Sequence, residues 1–152
     1  MPTTQVTLQM LEGVASDLRK TGATFDPATT YVGLATAVVN NGVNTVLSNL
    51  TEATYTGYAR ALGSPWAGPY QLNTGSTYFQ GVMNKFVGPS DDSGENIVAF
   101  FLVDAETAGD LLYFVVLDTP VGLFSTLDAL DVMLRIEQDA AANWDASIIA
   151  NG

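Results

Sequence analysis

Ile97-Val-Ala-Phe-Phe-Leu-Val103, then Asp104-Ala-Glu-Thr-Ala-Gly-Asp110, then Leu111-Leu-Tyr-Phe-Val-Val-Leu117: this stretch decides the fold class. The two flanking runs are unbroken apolar segments, rich in aromatic and β-branched residues. Each has the length of a strand rather than a helix, and the joining segment carries turn chemistry. Continuous rather than alternating apolarity means that both faces are covered, as at the centre of a sandwich or at a subunit interface.

Working outward, Thr30–Val39 reads as a strand, ended by the Asn40-Asn41-Gly42 turn signal. Ala53–Ala61 alternates tyrosines with small residues, as a half-buried strand does. Leu62–Ser76 is a long Gly/Pro/Ser-rich loop that holds Trp66 and Tyr70. Thr77–Val87 returns to strand, and Gly88–Gly94 is a loop. Val121–Ser125 and Val132–Glu137 make a further strand pair around a Leu127–Asp131 connection. At the start of the chain Leu8, Leu11, Val14, Ala15 and Leu18 form one apolar stripe at helical spacing, with Gly22 as a stop.

The expected fold is therefore mainly β. It is a single-domain antiparallel β-sandwich or jelly-roll-like fold with an N-terminal α-helix. The helix takes residues 1–22 and the sandwich residues 28–138. In the tail, 139–152, the Ala-rich Asp139–Ile149 reads as a short helix.

With 47% hydrophobic and only 14% charged residues, the chain has fewer charges than the roughly 25% of a typical soluble domain. Burial against other subunits would resolve this. Its net charge of −11 opposes phosphate backbones and anionic lipid, so neither nucleic acid nor a membrane is an expected partner. The charge is uneven. Up to Ser90 four acids (Glu12, Asp17, Asp26, Glu52) balance four bases (Arg19, Lys20, Arg60, Lys85); from Asp91 onward twelve acids face Arg135 alone. Solubility is the first reading of this, and an acidic outward face with a neutral attached face is the second. No signal peptide is evident, and no apolar run approaches the roughly 20 residues that span a bilayer.

Histidine and cysteine are both absent, which removes Ser-His-Asp and Cys-His nucleophile pairs and nitrogen- or sulfur-ligated zinc. Phosphate-binding and dinucleotide fingerprints do not occur. Asp92-Ser93-Gly94 matches the short aspartic-protease signature, but Gly88-Pro89-Ser90-Asp91 precedes it where an apolar strand should. Two acid groups, Asp91/Asp92/Glu95 and Asp104/Glu106/Asp110, lack EF-hand spacing and read as solvated loop acids. Asn49-Leu50-Thr51 fits a glycosylation sequon, which matters only in a secretory pathway. Trp66, Tyr70, Tyr78 and Phe79 suit stacking on sugar rings, but plugging the end of a sandwich is the preferred reading. No catalytic residue, metal or cofactor is expected.

Tyr31-Val-Gly33-Leu34-Ala-Thr36, Tyr55-Thr-Gly57-Tyr58-Ala-Arg60 and the stretch Phe100–Pro120 together resemble a group of small phage virion proteins. In that group an early Y-x-G-L-x-T strand is followed by a turn and a G-Y-x-R strand. A later strand leads into D-A-x-x-G-G-x-L-L and an L-x-T-P turn. Here these last stand as Asp104–Leu112 and Leu117-Asp118-Thr119-Pro120, over a match running from roughly Tyr31 to Glu137. Asp110 is read as replacing the second glycine, and the N-terminal helix is not part of the pattern. The resemblance implies a virion component, tail-fibre-like or a capsid cement.

The expectation is a non-enzymatic capsid-decorating or cement protein, made in the host cytoplasm and located in the virion. Its partners are itself, as a homotrimer, and the major capsid protein or other virion proteins. Candidate interface residues are Leu8, Leu11 and Leu18 on the helix stripe, with Trp66 and Tyr70 in the loop. The alternative is a tail-fibre or receptor-binding module recognising a host surface glycan. A carboxylate-based glycan hydrolase is a third class.

Overall fold

The structure is a computed structural model that describes residues 3–6, 30–39, 44–63, 66–71, 77–138 and 144–151. In chain order its strands are β1 (Thr3–Val6), β2 (Tyr31–Val38), β3 (Leu50–Glu52), β4 (Ala61–Leu62), β5 (Ala67–Gln71), β6 (Thr77–Gln80), β7 (Asn84–Val87), β8 (Glu95–Val103), β9 (Leu111–Leu123), β10 (Ala129–Gln138) and β11 (Trp144–Asn151). A single 3₁₀ turn, Leu47–Asn49, leads into β3. No helix among the described residues is long and apolar enough to cross a membrane.

The strands form two sheets, and their pairings are antiparallel. In the first the order is β1-β9-β8-β2-β3, with β4 also on β2. In the second it is β11-β10-β6-β5, with β7 pairing β10 beyond the end of β6. The apolar runs Ile97–Val103 and Leu111–Leu117 lie in β8 and β9, neighbours at the centre of the first sheet. Both faces of β8 are covered, because Ile97 and Ala99–Val103 are all buried. Phe100 and Leu102 join one cluster with Val32, Leu34 and Val115. The same cluster takes Phe86, Leu130, Val132 and Leu134 from the second sheet, so the two sheets share a core. Ala99, Phe101 and Val103 enter a second cluster with Ala35, Leu50, Leu111 and Phe114. Burying each such Phe or Leu is worth about 1.5–3 kcal/mol, which makes this hairpin the energetic centre of the chain.

A register shift between Ile97 and Ala99 switches faces, so Ile97 shares a cluster with Phe100 despite its odd spacing. On the partner strand the shift sets Ile97 against Val121 but Ala99 against Val116. The residues bulged out between them include Asp118, Thr119 and Pro120, all exposed. Proline has no N–H to give a ladder, so such a position suits it.

Several expectations change. Thr3–Val6, inside the expected helical segment 1–22, is a strand on β9, in keeping with its two threonines and valine. The stripe Leu8, Leu11 and Leu18 lies outside the described residues, as does the Asn40-Asn41-Gly42 turn. The tail is also not helical where it is described: Trp144–Asn151 pairs along β10 from Asp131 to Gln138. Its alanines favour a helix only weakly, and hydrogen bonding along an existing strand outweighs that preference.

Ala53–Ala61 is not one strand. A turn at Thr56-Gly57 breaks it, with the Tyr58 N–H donating to the Tyr55 carbonyl at 2.9 Å. Gly57 has φ +89°, which the third position of a type II turn demands. The Leu62–Ser76 loop contains an edge strand, β5, whose register shift between Ala67 and Tyr70 accommodates Pro69. Thr77–Val87 is strand on both sides of a bulge at Gly81–Met83, since Gln80 faces Arg135 and Asn84 faces Val132. Finally, Val121–Leu123 stays with β8 and does not pair Val132–Glu137; the chain crosses to the second sheet through residues 124–128.

Candidate functional site

The segments that carry the resemblance converge around Arg60. Strand β2 supplies Leu34 and the glycine beside it, the turn at Gly57 supplies Tyr58 and Arg60, and the β8–β9 connection supplies Ala105 and Ala108. Glu52, at the end of β3, completes the group. Arg60 grips Glu52 in a fork: Nε donates to Oε1 and Nη2 to Oε2, both at 2.8 Å. Its Nη1 donates to the Ala105 carbonyl at 2.9 Å and the Ala108 carbonyl at 2.8 Å. The Tyr58 hydroxyl donates to Glu52 Oε1 at 2.8 Å and accepts from the Leu34 N–H at 3.0 Å. A guanidinium is suited to this because its planar fork matches a carboxylate while other N–H groups reach further acceptors.

The surroundings are dry on one side. The Arg60 side chain is 5% exposed and that of Glu52 31%. Its guanidinium lies 5.5 Å from the centre of the Phe101 ring. That ring in turn lies over Gly33, its partner across the β2–β8 ladder, where any Cβ would collide with it. Burial, ahead of the bond to Glu52, pushes the Tyr58 hydroxyl well above its ordinary pKa. Hydrogen bonding to Glu52 holds Arg60 still more firmly protonated. Tyr58 also stacks on Phe86 of β7, with ring centres 6.4 Å apart, and so ties this group to the second sheet.

An open dent of about 320 Å³ adjoins the group, lined by Glu52, Tyr58, Arg60, Glu106, Thr107 and neighbours. Four of the five guanidinium N–H donors are already in bonds within the fold. The arrangement therefore fastens β2, β3, the turn at Gly57 and the β8–β9 connection to one another.

The β8–β9 connection explains why it needs fastening. Ala108 has φ +52° and Gly109 φ +87°, a left-handed pair. Glycine adopts such φ values at little cost, whereas at Ala108 the Cβ makes them strained. The Asp110 N–H is held by Asp104 Oδ1 at 2.7 Å.

The acids expected to be solvated are exposed at Asp91, Asp92, Asp104, Glu106 and Asp110, and some acids of these groups brace backbone as well. Glu95 accepts from the N–H groups of Thr54 at 2.6 Å and Tyr55 at 3.0 Å. Asp91 accepts from the hydroxyl and N–H of Ser93, which lowers its carboxyl below the ordinary range. Among the described residues no cluster of three acids is placed to hold a metal ion.

Trp66 and Tyr70 part company. Trp66 is half-buried, packs on the shared core and donates from Nε1 to Thr30 Oγ1 at 3.1 Å, as a plug does. Tyr70 is exposed on β5, its ring 5.3 Å from that of Tyr78, over which Arg135 lies at 5.0 Å. The Arg60 group was missed as a unit by sequence reasoning. The available signal was the arginine of the G-Y-x-R pattern, one of five bases in the chain.

No protein-family model matches this chain, and no curated protein matches it.

Proposed function

We propose that this chain is a non-enzymatic structural protein of a bacteriophage particle, acting as a capsid-decorating or cement protein. In this reading the two antiparallel sheets are the layers of a β-sandwich. The protein assembles as a homotrimer at junctions between capsid subunits, and apolar burial between neighbours ties them together against internal pressure.

One observation carries the reading. The residues that resemble small virion proteins (Gly33, Tyr58, Arg60 and the 104–110 connection) meet in one place, and there Tyr58 and Arg60 hydrogen-bond Glu52 and the connection. Resemblance concentrated in a structural fastening supports a protein whose work is mechanical. The sparse charge of the sequence supports burial against neighbours.

Immunogold electron microscopy of purified particles, using antibody against the chain, tests this. Gold spread evenly over the heads is the expected result. Gold confined to tails would sink the cement assignment in favour of a receptor-binding module. One feature favours that second reading: the exposed Tyr70 beside Tyr78 and Arg135 makes an aromatic shelf suited to a sugar ring. Tyr70→Ala would then abolish adsorption to host cells while leaving particles intact.

A further inference from the structure

At the Glu95 end of β8 two loops, 88–94 and 124–128, are built against each other. Gly88 and Gly94 make this possible, because a Cβ on either would strike backbone of residues 123–125. Gly122 leaves its space to the Phe124 ring. Asp128 Oδ2 then accepts the N–H groups of Phe124 and Ser125, each at 3.0 Å. The Asp128 carbonyl accepts from the Gly88 N–H at 2.9 Å and so joins the two loops. This firmly held turn displays large apolar side chains outward: Leu127 is 94% exposed and Phe124 53%. Val87, paired with Ala129 beside the same turn, is 43% exposed.

We propose that this tip is a docking surface for another protein, one that offers an apolar socket bordered by lysine or arginine. Apolar anchors held in place before binding lose little freedom when they enter a pocket, which is what makes such residues dominate interfaces. Charge selects the occupant. Lys85, exposed on β7 two residues from Val87, faces Asp131 and no further base occurs before Arg135, whereas the loops at the tip carry Asp91, Asp92 and Asp128. Hydrogen bonds from Ser93 keep Asp91 ionised. A basic rim complements this surface and an acidic one is repelled.

A second copy of this chain is a poor occupant. It has five bases in all, and Arg60 is enclosed in its pair with Glu52. An anionic lipid surface is opposed by the same carboxylates. The inference does not depend on a place in a virion, and an absence of gold on particles would leave it untouched.

The test is selection of a displayed random cyclic-peptide library on the full-length chain at near-physiological salt. Recovered peptides are expected to combine aromatic or aliphatic side chains with lysine or arginine. Their affinity should fall at least tenfold on Leu127→Ser and several-fold on the double substitution Asp91→Asn/Asp92→Asn. Leu127 is outside the core, so its variant keeps the wild-type melting curve, and this is checked alongside. Peptides that bind wild type and Leu127→Ser alike, that lack bases, or that are not recovered at all would overturn the proposal. Two parallel measurements give the other occupants their chance. Sedimentation that shows self-association lost in Leu127→Ser would assign the tip to a second copy. Leu127-dependent binding to phosphatidylcholine vesicles would assign it to a lipid surface. Either result overturns the proposal.

Discussion

Strand β8 runs between two ends that are built on different principles. At its Val103 end the connection to β9 is held by charge and hydrogen bonds: one guanidinium binds a carboxylate and two carbonyls, and a tyrosine hydroxyl bridges the carboxylate to β2. At its Glu95 end the loops are held by close glycine contacts and by carboxylates that accept backbone N–H groups, those of Asp128, Asp91 and Glu95, and Leu127 points away. The first end is directed inward, because Arg60, Glu52 and Tyr58 spend their bonds on one another and on backbone of the same chain. The second leaves apolar surface unsatisfied. Stability should therefore reside at the first, and association at the second.

Arg60→Ala tests the first half of that contrast and has the largest expected effect. Removing one partner of a buried pair costs about 3–5 kcal/mol. Because Glu52 is partly exposed, water relieves its charge and the loss should lie near the lower figure. Urea unfolding measures it, and a loss below about 1 kcal/mol would show that the Arg60 group is incidental. Arg60→Lys should not rescue, since an ammonium lacks the fork.

Tyr58→Phe comes next, at about 1–3 kcal/mol, because the Leu34 N–H loses its acceptor. It also sharpens the comparison through pH. Burial raises the folded-state pKa of Tyr58 above its unfolded value near 10, so this contribution is complete below pH about 10 and is lost as pH rises beyond it. Wild-type melting temperature should fall above that pH, and Tyr58→Phe should flatten the fall. Tyr55, raised by burial and by Glu95, retains a smaller share.

Gly94→Ala tests the second end. Its Cβ would press on the backbone of Leu123 and Phe124, with a cost of about 1–3 kcal/mol and loss of peptide binding at the tip. Ala108→Gly should act in the opposite direction, stabilising by up to about 1 kcal/mol as left-handed strain is relieved. Smallest of all, Leu127→Ser should stay within about 0.5 kcal/mol of wild type in thermal unfolding. A large effect there would mean that the tip serves the fold and would erase the contrast between the ends.

Much of the first end was legible in pieces. The patterns around Gly33, Tyr58 and Arg60 were visible, but their meeting was not, since Leu34 and the carbonyls of Ala105 and Ala108 are distant from Tyr58 and Arg60 in sequence and only strand order brings them together. The tip was less legible still. Phe124 and Leu127 look like any apolar residues near a strand, and nothing local shows that glycines 88, 94 and 122 close the two loops beneath them. Trp66 and Tyr70 look alike in a Gly/Pro-rich segment; a bond to Thr30 holds the first against the core, while the second stands exposed on β5 beside Tyr78.

By itself the sequence determined the β class, the central β8–β9 hairpin and the absence of histidine and cysteine chemistry, because continuous apolar runs of strand length and missing side chains are local facts. Tertiary structure alone decided which strands pair and where they bulge. It also decided that Trp144–Asn151 extends a sheet and which loop acids brace backbone. Those outcomes depend on partners remote in the chain, whose hydrogen bonds and packing outweigh the weak preferences of a short segment.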